Sequence, residues 1–220
     1  MTGILRHWWR TARKSYNAWR CRRLPPGGKL HVGCGPVHLD GWINIDVRRY
    51  RGVDYVLDVR DGLPFHDLRF VFAEHFIEHL PYWECERFLR DCRSALADDG
   101  VLRLSTPNLD WVVATQYGAN DAIRNCFALN TSFRGWGHQF LFNATTLAAL
   151  LRRAGFADVR FLTYGNSRHE ELRGLERHEK SPDSVESPHV LVVEAGGVGA
   201  QTNPTLDHAA RGFLETLGAS

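Results

Sequence analysis

Seven short apolar runs, separated by turn signals or helical patterns, are the feature that most constrains the fold of this chain. The runs lie in KLHVG, GWINIDV, VDYVLDV, LRFVFAE, VLRLSTP, ADVRFLTY and HVLVVEA. Residues 81–97 place apolar side chains on one helical face, and residues 143–156 predict a further helix with Asn143 as its N-cap. Strands that alternate with helices are typical of a largely parallel sheet covered on both faces. We therefore predict an α/β fold with a doubly wound, mostly parallel sheet of seven strands.

The loop between the first two strands is unusually short. Residues 29–47 read KLHVGCGPVHLDGWINIDV, and only Pro36 to Gly41 separate the glycine loop from the second strand. A parallel crossover that contains a helix generally needs about a dozen residues or more. We therefore predict a shortened first crossover without a full helix.

The first crossover begins with two glycines, Gly33 and Gly35, and the strand that follows it ends with an acid, Asp46. Glycine tolerates positive φ and lets backbone approach another molecule closely. An acid at the tip of the second strand is placed to bind ribose hydroxyls in a nucleoside-binding α/β protein. The alternative is a tight turn followed by a solvated aspartate.

The cysteines and the lengths of the apolar runs indicate in which compartment the protein is expected. Five cysteines, at positions 21, 34, 85, 92 and 126, form no CxxC pair, which argues against a disulfide framework and for a reducing compartment. Cys85 and Cys92 share a predicted helix face and are expected to be buried thiols. No apolar run approaches the roughly 20 residues of a membrane span, so we expect a cytoplasmic protein.

Positive charge is concentrated at the N-terminus. Residues 1–39 hold eight Lys or Arg and no acid, whereas the remainder holds 19 basic and 25 acidic groups. We divide the chain into a basic amphipathic helix (1–24), a main domain (25–195), and a linker with a short C-terminal helix (196–220). Any attraction to anions then belongs to the N-terminal segment.

Three partners fit the tryptophan-rich stripe of that N-terminal helix. It can pack on the protein itself or on a neighbouring subunit of a homodimer, which is the favoured interpretation. It can make peripheral contact with the inner face of a membrane through residues 4–20. Contact with single-stranded nucleic acid is disfavoured, because the acidic remainder of the domain would repel the phosphate backbone.

The motifs GCG, GWINIDV, LDVRDGLPF, AEHFIEHL, DDGVLRLSTPNLD and LLRRAGF, in this order, resemble those of class I S-adenosylmethionine-dependent methyltransferases. The resemblance spans roughly residues 29 to 195, and it is closest to small methyltransferase-domain proteins of bacterial surface-glycan or secondary-metabolite pathways. It implies a Rossmann-like fold, S-adenosyl-L-methionine as cofactor, and an enzyme. A dinucleotide oxidoreductase is disfavoured, because GCGP lacks the third glycine of GxGxxG and Asp46 follows too early.

The resemblance also implies which residues bind the cofactor. They are Gly33, Cys34, Gly35, Asp46, Asp58, Val59, Glu74 and His75. The first three would bring backbone against the methionine part, and the acid after the second strand would take the two ribose hydroxyls. The acid and valine after the third strand would meet the adenine amino group, and the last two would line the sulfonium side. One position departs from the family, because the usual acid two residues before the first glycine is His31 here.

Histidines are the candidate catalytic residues, because imidazole suits proton removal near neutral pH. His138, in GWGHQFLF, is the first candidate, followed by His79 in IEHLP and Asp110 after STPNL. The structural alternatives are loop packing for His138, a helix end for His79 and an N-cap for Asp110. No set of His and Cys residues shows metal-ligand spacing, so we expect no metal. The aromatic residues between positions 111 and 136 predict either core or a lid, and core is favoured.

The function predicted from these features is O-methylation of a small-molecule or glycan-linked acceptor. One alternative is an N-methyltransferase that acts on protein or RNA. The other is a membrane- or nucleic-acid-binding module built on a catalytically idle methyltransferase fold.

Overall fold

A seven-stranded sheet forms the centre of the molecule. The computed structural model describes residues 19–21, 23–117, 121–177 and 188–218. The strands are β1 (Lys29–Val32), β2 (Ile43–Asp46), β3 (Tyr55–Val56), β4 (Leu68–Glu74), β5 (Leu96–Pro107), β6 (Asp158–Leu162) and β7 (Val190–Gly196). Their order is β3-β2-β1-β4-β5-β7-β6, and β7 runs antiparallel to both of its neighbours while the other pairs are parallel. The predicted α/β fold with a mostly parallel sheet is confirmed.

Five α-helices accompany the sheet in the described ranges. They are α1 (Tyr82–Ala95), α2 (Leu109–Gln116), α3 (Ala122–Asn130), α4 (Ala144–Arg153) and α5 (Pro204–Thr216). Short 3-10 turns span Val59–Asp61, Ile77–His79 and Glu170–Leu172, and a π-helical turn spans Thr131–Gly135. Asn143 caps α4 as predicted, because its Oδ1 accepts a hydrogen bond from the backbone N–H of Thr146 at 2.9 Å.

Helices cover one face of the sheet. Alternate side chains of the central strands point to this face, where α1 and α4 bury Leu89 and Leu150 completely. The C-terminal helix α5 packs on the same side, and Arg153 of α4 forms an ion pair with Asp207 of α5 at 2.6 Å. This helical face is therefore held mainly by apolar packing.

Loops cover the opposite face. Residues 33–42, which connect β1 to β2, contain no helix, and this confirms the shortened first crossover. The connection from β6 to β7 folds over the same face of the sheet. Together the two connections and β4 form a second apolar cluster of Leu39, Trp42, Phe70, Phe72, Leu172 and Leu175.

Asn44 of β2 holds the short β1–β2 loop by hydrogen bonds from its side chain. Its Oδ1 accepts from the backbone N–H of Leu39 at 3.0 Å, and its Nδ2 donates to the carbonyls of Leu39 and Trp42 at 3.1 and 2.9 Å. His31 of β1 lies 3.1 Å from the same Oδ1 through Nδ1 and stacks on Phe72. Burial lowers the pKa of His31, so the ring is neutral and donates its Nδ1 proton to Asn44.

Arg103 of β5 ties the second connection to the sheet. Its side chain is fully buried. Nε donates to Glu176 at 2.6 Å, and one terminal nitrogen donates to Glu194 at 2.6 Å and to the carbonyl of Asn166 at 2.9 Å. Glu194 belongs to β7, whereas Asn166 and Glu176 belong to the β6–β7 connection.

The burial of the thiols and the lengths of the helices can be compared with the sequence-based expectations in the described residues. Cys85 and Cys92 are fully buried free thiols, as predicted. Across the described ranges, no helix is both long and apolar enough to cross a bilayer. The predicted N-terminal helix lies largely outside the described residues, which begin at Trp19. Two described residues near the C-terminal end of this predicted helix contact the main domain. Cys21 is buried in the main core, and the guanidinium of Arg20 lies 5.2 Å from the centroid of the Tyr55 ring.

Candidate active site

A cavity of about 800 Å³ opens at the carboxyl ends of β1, β2, β3 and β4. Open parallel sheets bind their ligands at this edge. Six predicted site residues line the cavity: Gly33, Asp46, Asp58, Val59, His75 and His79. The fold therefore brings together residues that follow four different strands.

Gly33 must be glycine for two reasons. Its φ is +65°, which side chains rarely adopt, and a Cβ at this position would lie 2.3 Å from Cδ2 of Phe76. Any other residue would be both strained and blocked by the ring. After β1 the cavity wall is therefore formed by the backbone of Gly33 together with the ring of Phe76 that packs against it.

Asp46 fixes the glycine loop from the neighbouring strand. Its Oδ2 accepts from the backbone N–H of Gly35 at 2.9 Å, and its Oδ1 accepts from that of Arg48 at 2.7 Å. A carboxylate offers about four lone-pair sites, so about two remain for hydroxyl groups in the cavity. The loop anchor that His31 does not provide is thus supplied by β2.

Asp58 lies beyond β3, and its carboxylate accepts hydrogen bonds from Arg60. Its Oδ1 accepts from the backbone N–H of Arg60 at 3.1 Å, and its Oδ2 accepts from the Arg60 guanidinium at 2.7 Å. An amino group that binds here would share the carboxylate with this arginine.

A second cavity, of about 570 Å³, adjoins the first. His75, His79 and Trp136 line both cavities, so the two meet at these three side chains. Trp111 of α2 and His138 add to the wall of the second cavity. A group held in the second cavity can therefore reach a group held in the first.

His138 presents one ring nitrogen as an acceptor. The residue is 7% exposed. Its Nδ1 lies 2.6 Å from the carbonyl oxygen of Ser132, so this nitrogen carries the proton and donates it, which leaves Nε2 with a lone pair. Burial lowers the pKa of His138, which favours the neutral ring. The ring meets that of His79 edge-on, with centroids 5.1 Å apart.

Glu78 is the buried acid of the second cavity, and the sequence analysis missed it. Its side chain is fully buried, its Oε1 accepts from Nδ1 of His75 at 3.1 Å, and its Oε2 accepts from Oγ1 of Thr106 at 3.0 Å. His75 has a φ of +45°, which is uncommon outside glycine and concentrates at functional sites. The spacing of His75, Glu78 and His79 in EHFIEH was the available signal.

Three predicted cofactor residues do not line the cavity: Cys34, Gly35 and Glu74. Gly35 instead donates its backbone N–H to Asp46. Cys34 is buried behind the loop, and burial raises the pKa of its thiol to about 11. Glu74 turns its carboxylate to the backbone N–H of Arg177 at 2.6 Å. This hydrogen bond holds the Glu74 carboxylate against the β6–β7 connection, and Glu74 does not line the first cavity.

Asp110 and the nearby aromatic residues also differ from expectation. Asp110 is exposed and lines neither cavity, and the N-cap of α2 is Asn108. Trp111 and Trp136 line the second cavity, whereas Phe127 is 72% exposed. The favoured interpretation of this aromatic set as core is therefore wrong, because its side chains line the second cavity or face solvent.

A family profile described as a methyltransferase domain matches residues 32–160. The chain belongs to the methyltransferase-domain family. No curated protein matches the sequence.

Solved structures share the fold of this methyltransferase. An S-adenosylmethionine-dependent methyltransferase from Archaeoglobus fulgidus is 18% identical, with 82% of this chain and 93% of that chain covered and a TM-score of 0.52. An S-adenosylmethionine-dependent methyltransferase from Thermotoga maritima, a possible histamine N-methyltransferase, is 17% identical. The match covers 89% of this chain and 95% of that chain, with a TM-score of 0.51. An S-adenosylmethionine-dependent methyltransferase from Mesorhizobium loti is 19% identical, with 81% of this chain and 97% of that chain covered and a TM-score of 0.50.

S-adenosyl-L-methionine is the cofactor of this methyltransferase, and the first cavity fits it. Gly33 contributes backbone to the cavity wall, and Asp46 retains lone pairs for ribose hydroxyls. Asp58 and Val59 lie where a base can bind. When bound, the cofactor supplies a methyl group on a sulfonium, whose carbon–sulfur electron pair stays with sulfur on transfer.

Proposed function

We propose that this methyltransferase transfers the methyl group to a hydroxyl oxygen of a small or glycan-linked acceptor. The observation that carries the proposal is the junction of the two cavities at His75 and His79, with His138 beside it. An acceptor in the second cavity meets the first cavity at these imidazoles. Alignment of donor and acceptor supplies most of the acceleration that such a displacement needs.

The imidazole of His138 is placed to receive the hydroxyl proton. Its Nδ1 donates to Ser132, so Nε2 is the nitrogen that accepts. The oxygen–hydrogen bond of the acceptor breaks, the proton passes to Nε2, and the freed electron pair of oxygen forms the bond to the methyl carbon. Proton removal of this kind is worth roughly 10²- to 10⁴-fold in rate.

The walls of the second cavity support a ring-shaped acceptor. Trp111 and Trp136 present flat apolar surfaces, and Gln116 and His189 add polar groups. Small-molecule sites commonly combine aromatic walls with a few polar groups that fix orientation. This combination supports a sugar or aromatic ring, in line with the glycan and secondary-metabolite pathways that the sequence motifs suggest.

Labelled methyl transfer tests the acceptor atom. The enzyme is given cofactor with a ¹³C-methyl group and a panel of free hexoses, nucleotide-linked sugars and catechols, each with an amine of similar shape. We expect the ¹³C shift of the product to identify a methyl ether. Label found on nitrogen alone would overturn the oxygen assignment.

A histidine variant tests the proton acceptor. His138→Asn is expected to lower kcat at least tenfold, with the KM for the cofactor little changed. His66→Asn, at an exposed histidine on the amino side of β4, is the matched control and should keep full turnover. Full turnover by His138→Asn would contradict the assignment.

We also propose that the N-terminal segment packs on the domain, as the burial of Cys21 and the contact of Arg20 with Tyr55 favour. Peripheral membrane contact through residues 4–20 is the competing arrangement. Flotation of the full chain with anionic vesicles, lost at high salt, would contradict packing and support the membrane.

A further inference from the structure

We propose that Glu78, His79 and His138 bind a divalent transition-metal ion in the second cavity. One ring nitrogen of each histidine and one carboxylate oxygen of Glu78 lie within 4.8 Å of one another. Ligand atoms lie about 2.0–2.2 Å from a zinc ion, so the three atoms need to close by roughly 1 Å. The inference rests on the proposed function, because the ion would bind the acceptor oxygen.

The fold, and not sequence spacing, assembles this cluster. Glu78 and His79 follow β4, and the turn after α3 brings His138 beside them. The backbone N–H of Gln139 donates to the carbonyl of Glu78 at 2.7 Å, which fixes the two segments against each other. Spacing analysis therefore predicted no metal, because the third ligand comes from a distant part of the chain.

Each proposed ligand is oriented by a further hydrogen bond. Nδ1 of His138 donates to Ser132, and Nδ1 of His79 lies 3.4 Å from the carbonyl of Gly137. The carboxylate of Glu78 is held by His75 and Thr106. Metal-binding histidines usually donate their second ring N–H to a carbonyl or carboxylate in this manner, which fixes the tautomer that binds.

The charge of the cluster also fits a cation. Glu78 is fully buried, and within the described ranges its ion-pair partner is a histidine and no Lys or Arg. A buried carboxylate is costly unless it is paired or coordinates a metal. A divalent ion would balance this charge while the surrounding imidazoles stay neutral.

Two imidazoles and one carboxylate indicate the class of ion. Such sets suit zinc, cobalt, manganese or iron, whereas magnesium and calcium prefer oxygen ligands. Three protein ligands leave a position open, which is typical of a catalytic site. An acceptor hydroxyl bound there would lose its proton more readily, just as bound water does.

The ion changes the role of His138 in the proposed reaction. With an ion bound, Nε2 of His138 would coordinate it and would not receive the hydroxyl proton. The ion would supply Lewis acidity to the acceptor hydroxyl: its proton would pass to water, and the freed electron pair of oxygen would form the bond to the methyl carbon. Atoms and charge balance as before.

Titration of the tag-free protein with Co²⁺, followed by visible absorption, tests the site without cofactor or acceptor. We expect one equivalent to bind, Zn²⁺ to displace it and Mg²⁺ not to. His79→Ala, at the exposed ring, and Glu78→Gln should each weaken Co²⁺ binding at least tenfold. His66→Ala is the matched control, because His66 also pairs with a carboxylate, Asp67, but far from the cavities.

Binding of S-adenosylhomocysteine by calorimetry shows that each variant is folded. Absence of Co²⁺ absorption in the native protein, or unchanged Co²⁺ binding in both folded variants, would overturn the inference. Full-rate O-methylation by the chelator-treated enzyme would overturn it too, while leaving the proposed function intact. Methyl label on nitrogen with an intact Co²⁺ site would instead overturn the proposed function alone.

Discussion

Among the described residues, both faces of the sheet bury apolar side chains, but only the loop face adds extensive hydrogen bonds from buried polar side chains of the strands. On the helical face, α1, α4 and α5 bury apolar side chains such as Leu89 against the central strands. On the loop face, buried polar side chains, above all Asn44 and Arg103, bind the connections by directed hydrogen bonds. Apolar burial is non-directional, whereas a hydrogen bond fixes the position of the atom it reaches.

This difference matters for function because the glycine loop begins the connection on the loop face. Gly33 and Asp46 stand at either end of the segment that Asn44 holds. Changes on the loop face should therefore alter cofactor affinity as well as stability. Changes on the helical face should alter stability alone.

The largest effect is expected from Arg103→Ala. Removal of the guanidinium leaves Glu176 and Glu194 without their cation, and breaking a buried pair in this way costs about 3–5 kcal/mol. Urea unfolding measures the loss. The triple variant Arg103→Met, Glu176→Leu, Glu194→Leu should recover most of it, since apolar replacement of a whole buried ion cluster is often neutral. A triple variant no more stable than Arg103→Ala would show that packing and not charge governs this face.

A somewhat smaller loss, about 3 kcal/mol, is expected for Leu89→Ala on the helical face. The side chain is fully buried in α1, so its truncation leaves a cavity among apolar neighbours. Calorimetry with S-adenosylhomocysteine on the folded variant should give the native affinity. A weakened affinity would mean that the helical face is coupled to the cofactor site.

The sequence predicted the strands, because their apolar patterns recur along the chain. Apolar runs predicted all seven strands, and the acids Asp46, at the end of β2, and Asp58, two residues beyond β3, line the first cavity. The hydrogen bonds that hold the loop face were not predicted, because they join positions far apart in the sequence. Arg103 donates to one carboxylate 73 residues later and to another 91 residues later. Glu78 was missed although His75 and His79 lie close to it in the sequence, because its contacts with Thr106 and His138 join distant positions.

Asn44→Ala tests whether the loop face positions the cofactor loop. The substitution leaves backbone groups of Leu39 and Trp42 without their partner, which costs about 1–3 kcal/mol. S-adenosylhomocysteine should bind several-fold more weakly, measured by calorimetry under conditions where the variant is folded. Native affinity in this variant would show that Asp46 alone holds the glycine loop.

The smallest effect concerns pH and the ring of His31. Burial lowers the pKa of this histidine in the folded state, whereas in the unfolded chain it is about 6.5. Above that pH both states are neutral and the contribution of His31 to stability is complete. As the pH falls below it, the unfolded chain gains a proton that the folded protein does not, and the free energy of unfolding decreases by at most about 1.4 kcal/mol per pH unit. His31→Gln, which can still donate to Asn44, should show a shallower decrease between pH 7.5 and 5.5 in urea unfolding. His138 keeps its own lowered pKa, so some decrease should remain, and identical slopes in the two proteins would show that His31 does not contribute to it.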